Sequence, residues 1–309
     1  MPATILVSNE PDDRDGYEYL KAVPGLMLSE YDPNNLRIED SQREAELLMP
    51  PYRGSHRPLA LIGELPSLRM VQLLSAGVDE WRPHVPEHVV VASARGAHAG
   101  PVSEWVLSAI LTQYRQWPAL VRFQDEQTWA HRRFHADTLS GKRVLILGAG
   151  SIGSAVARKL EAFGTVSTLV ASQARDGVYG PADLLELVPG HAIVVVTAPL
   201  TDSTLGIVSA QFLAAMDDGA LLVNAGRGQI VDTSALVGEL QTGRLRAALD
   251  VTDPEPLPSD HPLWRCTGAV ISPHAARTVP GTNRLCYEVA AGQIATFLEG
   301  GTPTNAAYL

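Results

Sequence analysis

At 309 residues, with 45% hydrophobic and 19% charged side chains, the chain is long enough for two domains with their own cores and has the composition of an ordinary globular protein. A net charge of −10 argues against a nucleic-acid surface and against docking on an anionic membrane, since both need a basic patch. The two cysteines, Cys266 and Cys286, form no CxxC and have no histidine cluster beside them, so neither a disulfide framework nor a metal site is indicated. The N-terminus moves straight into strand-like alternation without a basic start, and no run approaches the roughly 20 apolar residues of a membrane span. A reducing, cytoplasmic setting is expected.

From Thr4 to about Ser93, short apolar runs alternate with polar stretches that suit helices. The runs are Ile5–Val7, Leu26–Leu28, Leu47–Met49, Leu59–Ile62, Met70–Leu74 and Val89–Val91, and the alternation predicts a small doubly wound α/β domain. A long apolar helix begins near Pro101 and carries Val102, Trp105, Val106, Ile110 and Leu111 on one broad stripe, which interior packing explains before a subunit contact does. The rhythm then becomes clearer. Strands are expected at Val144–Leu147, Val166–Val170, Ile193–Thr197, Ala220–Val223, Arg246–Val251 and Ala269–Ser272, matching the six of a full dinucleotide-binding sheet. Thr278 to Leu309 offers one helix around Arg284–Leu298 and a polar tail, expected to fold back and complete the first domain.

The most informative stretch is Lys142 to Gly164, which reads as strand, glycine turn and helix. Gly148, Gly150 and Gly153 supply GxGxxG: the first permits a tight turn, the second admits a pyrophosphate, and the third lets helix pack on strand. Ser151 and Ile152 open the helix, whose free N–H groups suit an anion. A site for NAD(H) usually places a carboxylate at the end of the following strand to hold the ribose 2′-hydroxyl. Here Val166–Val170 runs into Ala171, Ser172, Gln173, Ala174 and Arg175, with no carboxylate until Asp176. Ser172 and Arg175 suit a 2′-phosphate, so NADP(H) is favoured over NAD(H).

Three later strands end on polar groups that a core would not choose. One leads into Asn224-Ala225-Gly226-Arg227-Gly228, one carries Asp250 and leads into Pro254-Glu255-Pro256, and one leads into Pro273-His274. In an open parallel sheet all three lie on the carboxyl edge, where ligands bind. Singly, each has a dull reading as a loop charge or a satisfied histidine. Together they answer one chemical need. Reducing a 2-keto acid takes a cation to hold the carboxylate and polarise the ketone, which Arg227 supplies, and an acid to protonate the oxygen, which His274 supplies. A nearby Glu255 would orient the imidazole and favour its charged form.

On these residues the chain resembles the D-isomer-specific 2-hydroxyacid dehydrogenases. LVNAGRGQIVD is similar to that family's arginine motif, ALDVTDPEPLP to its glutamate motif and ISPHAA to its histidine motif. The resemblance implies two doubly wound α/β domains: a flavodoxin-like substrate domain of residues 1–98 plus 277–309 and a Rossmann NAD(P)-binding domain of residues 99–276. By the same resemblance Thr197, Ala198, Pro199, Ala225 and Asp250 line the nicotinamide side of the cofactor. Backbone N–H groups of Ser75, Ala76, Gly77 and Val78 join Arg227 on the substrate carboxylate. It further implies a homodimer formed largely through the helix after Pro101. Two segments depart from the pattern: Ala171 replaces the aspartate usual in NAD-dependent members, and His98 and Ser103 stand where many members have asparagine and alanine. DVTDPEPLPSDHPLW looks most like glyoxylate/hydroxypyruvate reductases. The competing reading is a nucleotide-sensing protein of the kind found among corepressors on this fold, which an added peptide-binding extension would betray; none is identifiable.

Overall fold

A computed structural model describes residues 2–52 and 58–307. Contacts along the chain divide it into two units, residues 1–98 with 279–309 and residues 99–278. The strands in chain order are β1 Ala3–Ser8, β2 Leu26–Tyr31, β3 Leu47–Met49, β4 Met70–Gln72, β5 Val90–Ala92, β6 Arg143–Leu147, β7 Val166–Val170, β8 Val178–Tyr179, β9 Ile193–Val196, β10 Leu221–Asn224, β11 Arg246–Leu249, β12 Ala269–Ile271 and β13 Ala306–Ala307.

In the first unit the sheet order is β2-β1-β3-β4-β5-β13. Its first five strands pair in parallel, in the order of a flavodoxin-like sheet. Both faces are covered, which is why the middle of β1, Ile5–Val7, is continuously apolar rather than alternating. Ile5 and Val7 point into a layer closed by Cys286, Tyr287, Ala290 and Ile294 of the helix Thr282–Leu298, while Leu6 points to the other layer with Leu48, Leu61 and Trp81. The returning tail is not merely polar. Ala306 and Ala307 pair antiparallel with Ala92 and Val91, covering the edge of β5. Leu59–Ile62, whose pattern suits a strand, instead enters the helix Ala60–Glu64 and buries Leu61; a four-residue apolar run carries no period long enough to separate the two.

The second unit holds a seven-stranded sheet in the order β8-β7-β6-β9-β10-β11-β12, parallel throughout. This is the doubly wound dinucleotide-binding order with one strand added beyond the sixth. Against the six strands expected from the apolar runs, the one not foreseen is the short β8, which takes the third position of that order. The sheet reverses direction of growth between β6 and β9. One face is packed by the helices Ala99–Tyr114 and Ser151–Glu161, through Val106, Ala109, Ile110, Val156 and Leu160. The apolar stripe after Pro101 is therefore core of its own unit. No helix among the described residues is long and apolar enough to cross a membrane.

Candidate active site

Because β6 to β12 run parallel, the segments that follow them gather on one carboxyl edge. At the switch point between β6 and β9, the glycine turn connects β6 to the helix Ser151–Glu161. Gly148 has a φ of +110°, a region that disfavours side chains, and a Cβ there would lie 2.6 Å from the Ala198 nitrogen. A Cβ on Gly153 would lie 1.9 Å from the Gly148 carbonyl oxygen, so helix and turn meet at this point. Gly150 differs from both, since a Cβ there would meet nothing within 4 Å. The protein itself does not require glycine at 150; open space beside the N–H groups of Ser151 and Ile152 fits a pyrophosphate that comes close to the backbone.

The neighbouring strand β7 ends at Val170, and Ala171 follows with its N–H bonded to the Tyr179 carbonyl of β8. Ser172 and Arg175 are exposed, and Arg175 folds its guanidinium back to the Ala149 carbonyl at 3.0 Å, which lays it across the glycine turn. Across the switch point, the Thr197 hydroxyl donates to the Gly148 carbonyl at 2.9 Å. The loop after it is closed by Thr204, whose hydroxyl bonds the Pro199 carbonyl at 2.7 Å. Ala225 follows β10 with its N–H on the Val196 carbonyl.

Arg227 is held by a short loop strapped at both ends. Asn224, 1% exposed, accepts from the Gly226 N–H at 3.0 Å and donates to the Arg227 carbonyl at 2.9 Å. Gly226 and Gly228 leave no room for a Cβ, which would fall 2.8 Å from the Ala198 carbonyl and 2.0 Å from that of Thr252. Sequence reasoning passed over Asn224 as a structural participant, although a buried polar residue closing an apolar strand was the available signal.

His274 and Glu255 come together. The imidazole Nδ1 lies 2.7 Å from Glu255 Oε1, each side chain 40% exposed. The hydrogen bond from His274 holds the Glu255 carboxyl below its usual range, aided by the Thr252 N–H and the Arg227 charge and opposed by partial burial. An ionised carboxylate only accepts, so Nδ1 carries the proton of this bond and Nε2 is the ring nitrogen left for chemistry. His274 has a φ of +51°, unusual for a residue with a side chain. Asp250 maintains that turn. Its backbone carbonyl accepts the His274 N–H at 2.7 Å, and its carboxylate, 4% exposed, receives the Ser272 hydroxyl at 2.5 Å, the Ala275 N–H at 2.8 Å and the Ala276 N–H on both oxygens.

In the first unit, Ser75 to Val78 follow β4 as a half-buried loop. The Ser75 hydroxyl bonds the Gly77 carbonyl at 2.7 Å, and the Ser75 carbonyl takes the Ala94 N–H at 2.9 Å. His98 is buried, with Nε2 3.3 Å from Cys286 Sγ on the helix Thr282–Leu298, and Ser103 bonds back to the Ala99 carbonyl at 2.5 Å.

Comparison with known proteins gives concordant matches. The sequence profile of the D-isomer specific 2-hydroxyacid dehydrogenase, NAD binding domain, matches residues 107–276. The chain is 36% identical over 282 residues to an uncharacterized protein of Corynebacterium melassecola, covering 85% of this chain and 88% of that one. It is 31% identical to a glyoxylate/hydroxypyruvate reductase of Arabidopsis thaliana, covering 77% and 75%. A D-isomer specific 2-hydroxyacid dehydrogenase of Xanthobacter autotrophicus Py2, solved in complex with NADPH and MES, superposes with a TM-score of 0.84 at 28% identity, over 99% of this chain and 98% of that one.

Proposed function

The chain belongs to the D-isomer-specific 2-hydroxyacid dehydrogenase family of NAD(P)-dependent enzymes, and from that membership we propose that it reduces a small 2-keto acid with NADPH, glyoxylate or hydroxypyruvate being the favoured substrates. The observation that carries this reading is the 2.7 Å pair of His274 and Glu255, on the same sheet edge as the glycine turn and the Arg227 loop.

Held at the turn of Gly148, Gly150 and Gly153, a reduced nicotinamide dinucleotide would supply the hydride for C2 of the keto acid. Everything else falls to side chains. Arg227 holds the carboxylate and polarises the ketone, a planar bidentate task that lysine performs poorly. As negative charge grows on the carbonyl oxygen, the imidazolium of His274 donates its Nε2 proton to it, leaving neutral imidazole and the D-2-hydroxy acid. Glu255 keeps the ring oriented and offsets its positive charge before transfer. Asp250 acts on the reaction by fixing the turn that carries His274.

NADPH is preferred in this proposal because Ala171 brings no carboxylate to the ribose, while exposed Ser172 and Arg175 stand at the end of β7. The Xanthobacter relative holding NADPH supports it. A homodimer completes the proposal. Its support is the exposed apolar surface of Trp117, Val121 and Trp129, on and after the helix Trp117–Asp125 that follows the long helix of the second unit. A monomer mass by light scattering would remove that part.

The deciding experiment is oxidation of NADPH and of NADH, followed by absorbance, against glyoxylate, hydroxypyruvate, pyruvate and phenylpyruvate. Turnover with the two small acids, faster with NADPH, is expected. Cofactor binding without turnover on any of the four would overturn the substrate assignment in favour of nucleotide sensing.

A further inference from the structure

Thr197 stands at the end of β9, in a segment whose resemblance assigns it to the cofactor, yet its hydroxyl is already engaged. It donates to the Gly148 carbonyl at 2.9 Å and lies 3.3 Å from the Leu147 carbonyl, while its own N–H bonds Leu147 at 2.8 Å. A threonine hydroxyl has one proton to give. The carbonyl it holds is a sensitive one. Gly148 is in a positive-φ conformation at the head of the turn, and its oxygen lies 1.9 Å from where a Cβ of Gly153 would be, so it is confined between the first turn of the helix and the threonine. The same imagined Cβ would sit 2.9 Å from the Thr197 oxygen, so this hydroxyl fills the space beneath the turn.

The electrostatics explain why the carbonyl needs holding. The helix N-terminus offers N–H groups to an anion, and a carbonyl oxygen swinging toward the same place would repel it. Peptide flips are easy at a glycine, which is nearly as stable at positive as at negative φ. We propose that Thr197 is a positioning residue for the anion site: its hydroxyl locks the Gly148 peptide so that the turn presents N–H groups, and it does not itself ligate the nicotinamide half of the cofactor. The proposal rests on the dinucleotide reading given above.

The test uses three probes that divide the cofactor: NADPH, 2′-phospho-ADP-ribose, which keeps the pyrophosphate and lacks nicotinamide, and adenosine 2′,5′-bisphosphate, which lacks the pyrophosphate. For a protein that prefers NADH the set becomes NADH, ADP-ribose and AMP. Dissociation constants are measured by titration calorimetry for the wild type, Thr197→Val and Thr197→Ser, with a thermal melt of each. Thr197→Val should weaken the first two probes equally, by about tenfold, as expected for one lost hydrogen bond that orders the site, and leave the third within about twofold. Thr197→Ser should restore all three. Loss confined to the nicotinamide-bearing probe would make Thr197 a direct ligand and overturn the proposal; so would unchanged binding, or equal loss on all three. If Thr197→Val does not fold, Thr197→Ala is read in the same way. A wild type that binds neither NADPH nor NADH overturns the dinucleotide reading, and this inference with it.

Discussion

Two buried carboxylates lie near the carboxyl edges of the two sheets, and they are held in opposite ways. Asp250, closing β11, takes its bonds from Ser272, Ala275 and Ala276, all donors of one short turn. Asp13, in the helix Pro11–Arg14 beyond β1, is fully buried and accepts on Oδ1 from the Tyr52 N–H at 3.0 Å and the Tyr287 hydroxyl at 3.1 Å. Those donors come from 39 and 274 residues away, so this carboxyl ties the chain after β3 and the helix Thr282–Leu298 to the first strand. Burial pushes its carboxyl up to about 6, against the lowering effect of Ser8, Tyr52 and Tyr287. A carboxylate caged by the backbone of one loop organises that loop; one reached by scattered donors joins segments and remains poised to take a proton.

The largest effect expected from this contrast is on turnover. His274→Ala should lower kcat by about 100- to 10,000-fold, the usual weight of a general acid, with NADPH affinity kept within about threefold. If Asp250 serves the reaction by caging the His274 turn, Asp250→Asn should also lower kcat, yet add little in the His274→Ala background. Independent, multiplying losses would break the first half of the comparison. Asp250→Asn should in addition cost about 2–3 kcal/mol of stability, because its amide replaces an acceptor of buried N–H groups with a donor; urea unfolding of the second unit measures this.

Asp13 is tested by pH. Its folded value of about 6 lies above the ordinary unfolded value near 4, so between these limits the folded chain binds more protons than the unfolded one. Its contribution to stability is therefore greatest at low pH and declines as pH rises toward 6, by on the order of 2 kcal/mol. The difference in unfolding midpoint between Asp13→Asn and wild type should move in favour of the variant from pH 4 to pH 7. A difference that stays flat over that range would show that Asp13 is not the group that titrates.

The contrast also explains what the sequence disclosed. Strands β6, β9, β10, β11 and β12 were readable because each carries a continuous apolar run, as strands inside a parallel sheet do, whereas β7, Val-Ser-Thr-Leu-Val, is broken by two polar residues and was readable from its β-branched composition after the glycine-turn helix. The glycine turn, Arg227, Glu255 and His274 were readable because each follows such a run on the carboxyl edge. Asp250 could be located but its donors could not, since main-chain N–H groups leave no trace in residue identity. Asp13 was hidden altogether: PDDRD looks like a solvated charge run, and nothing local connects it to Tyr287. The two-residue β8 and the Ala306–Ala307 return failed for a related reason, since strands that short carry no period and are held only by the sheet edge they join.

The smallest effect is the most selective. Tyr287 packs its ring against Gly16, where a Cβ would lie 2.1 Å from the ring, and gives its hydroxyl to Asp13. Tyr287→Phe keeps the ring and removes the bond, at a cost of about 1 kcal/mol. The lost bond is one that favours the ionised carboxyl, so its removal should raise Asp13 further and make the variant lose more at pH 8 than at pH 5. In the Asp13→Asn background that dependence on pH should vanish. Equal destabilisation at both pH values in the wild-type background would reduce Tyr287 to a packing residue and leave the tie across the first unit without its switchable member.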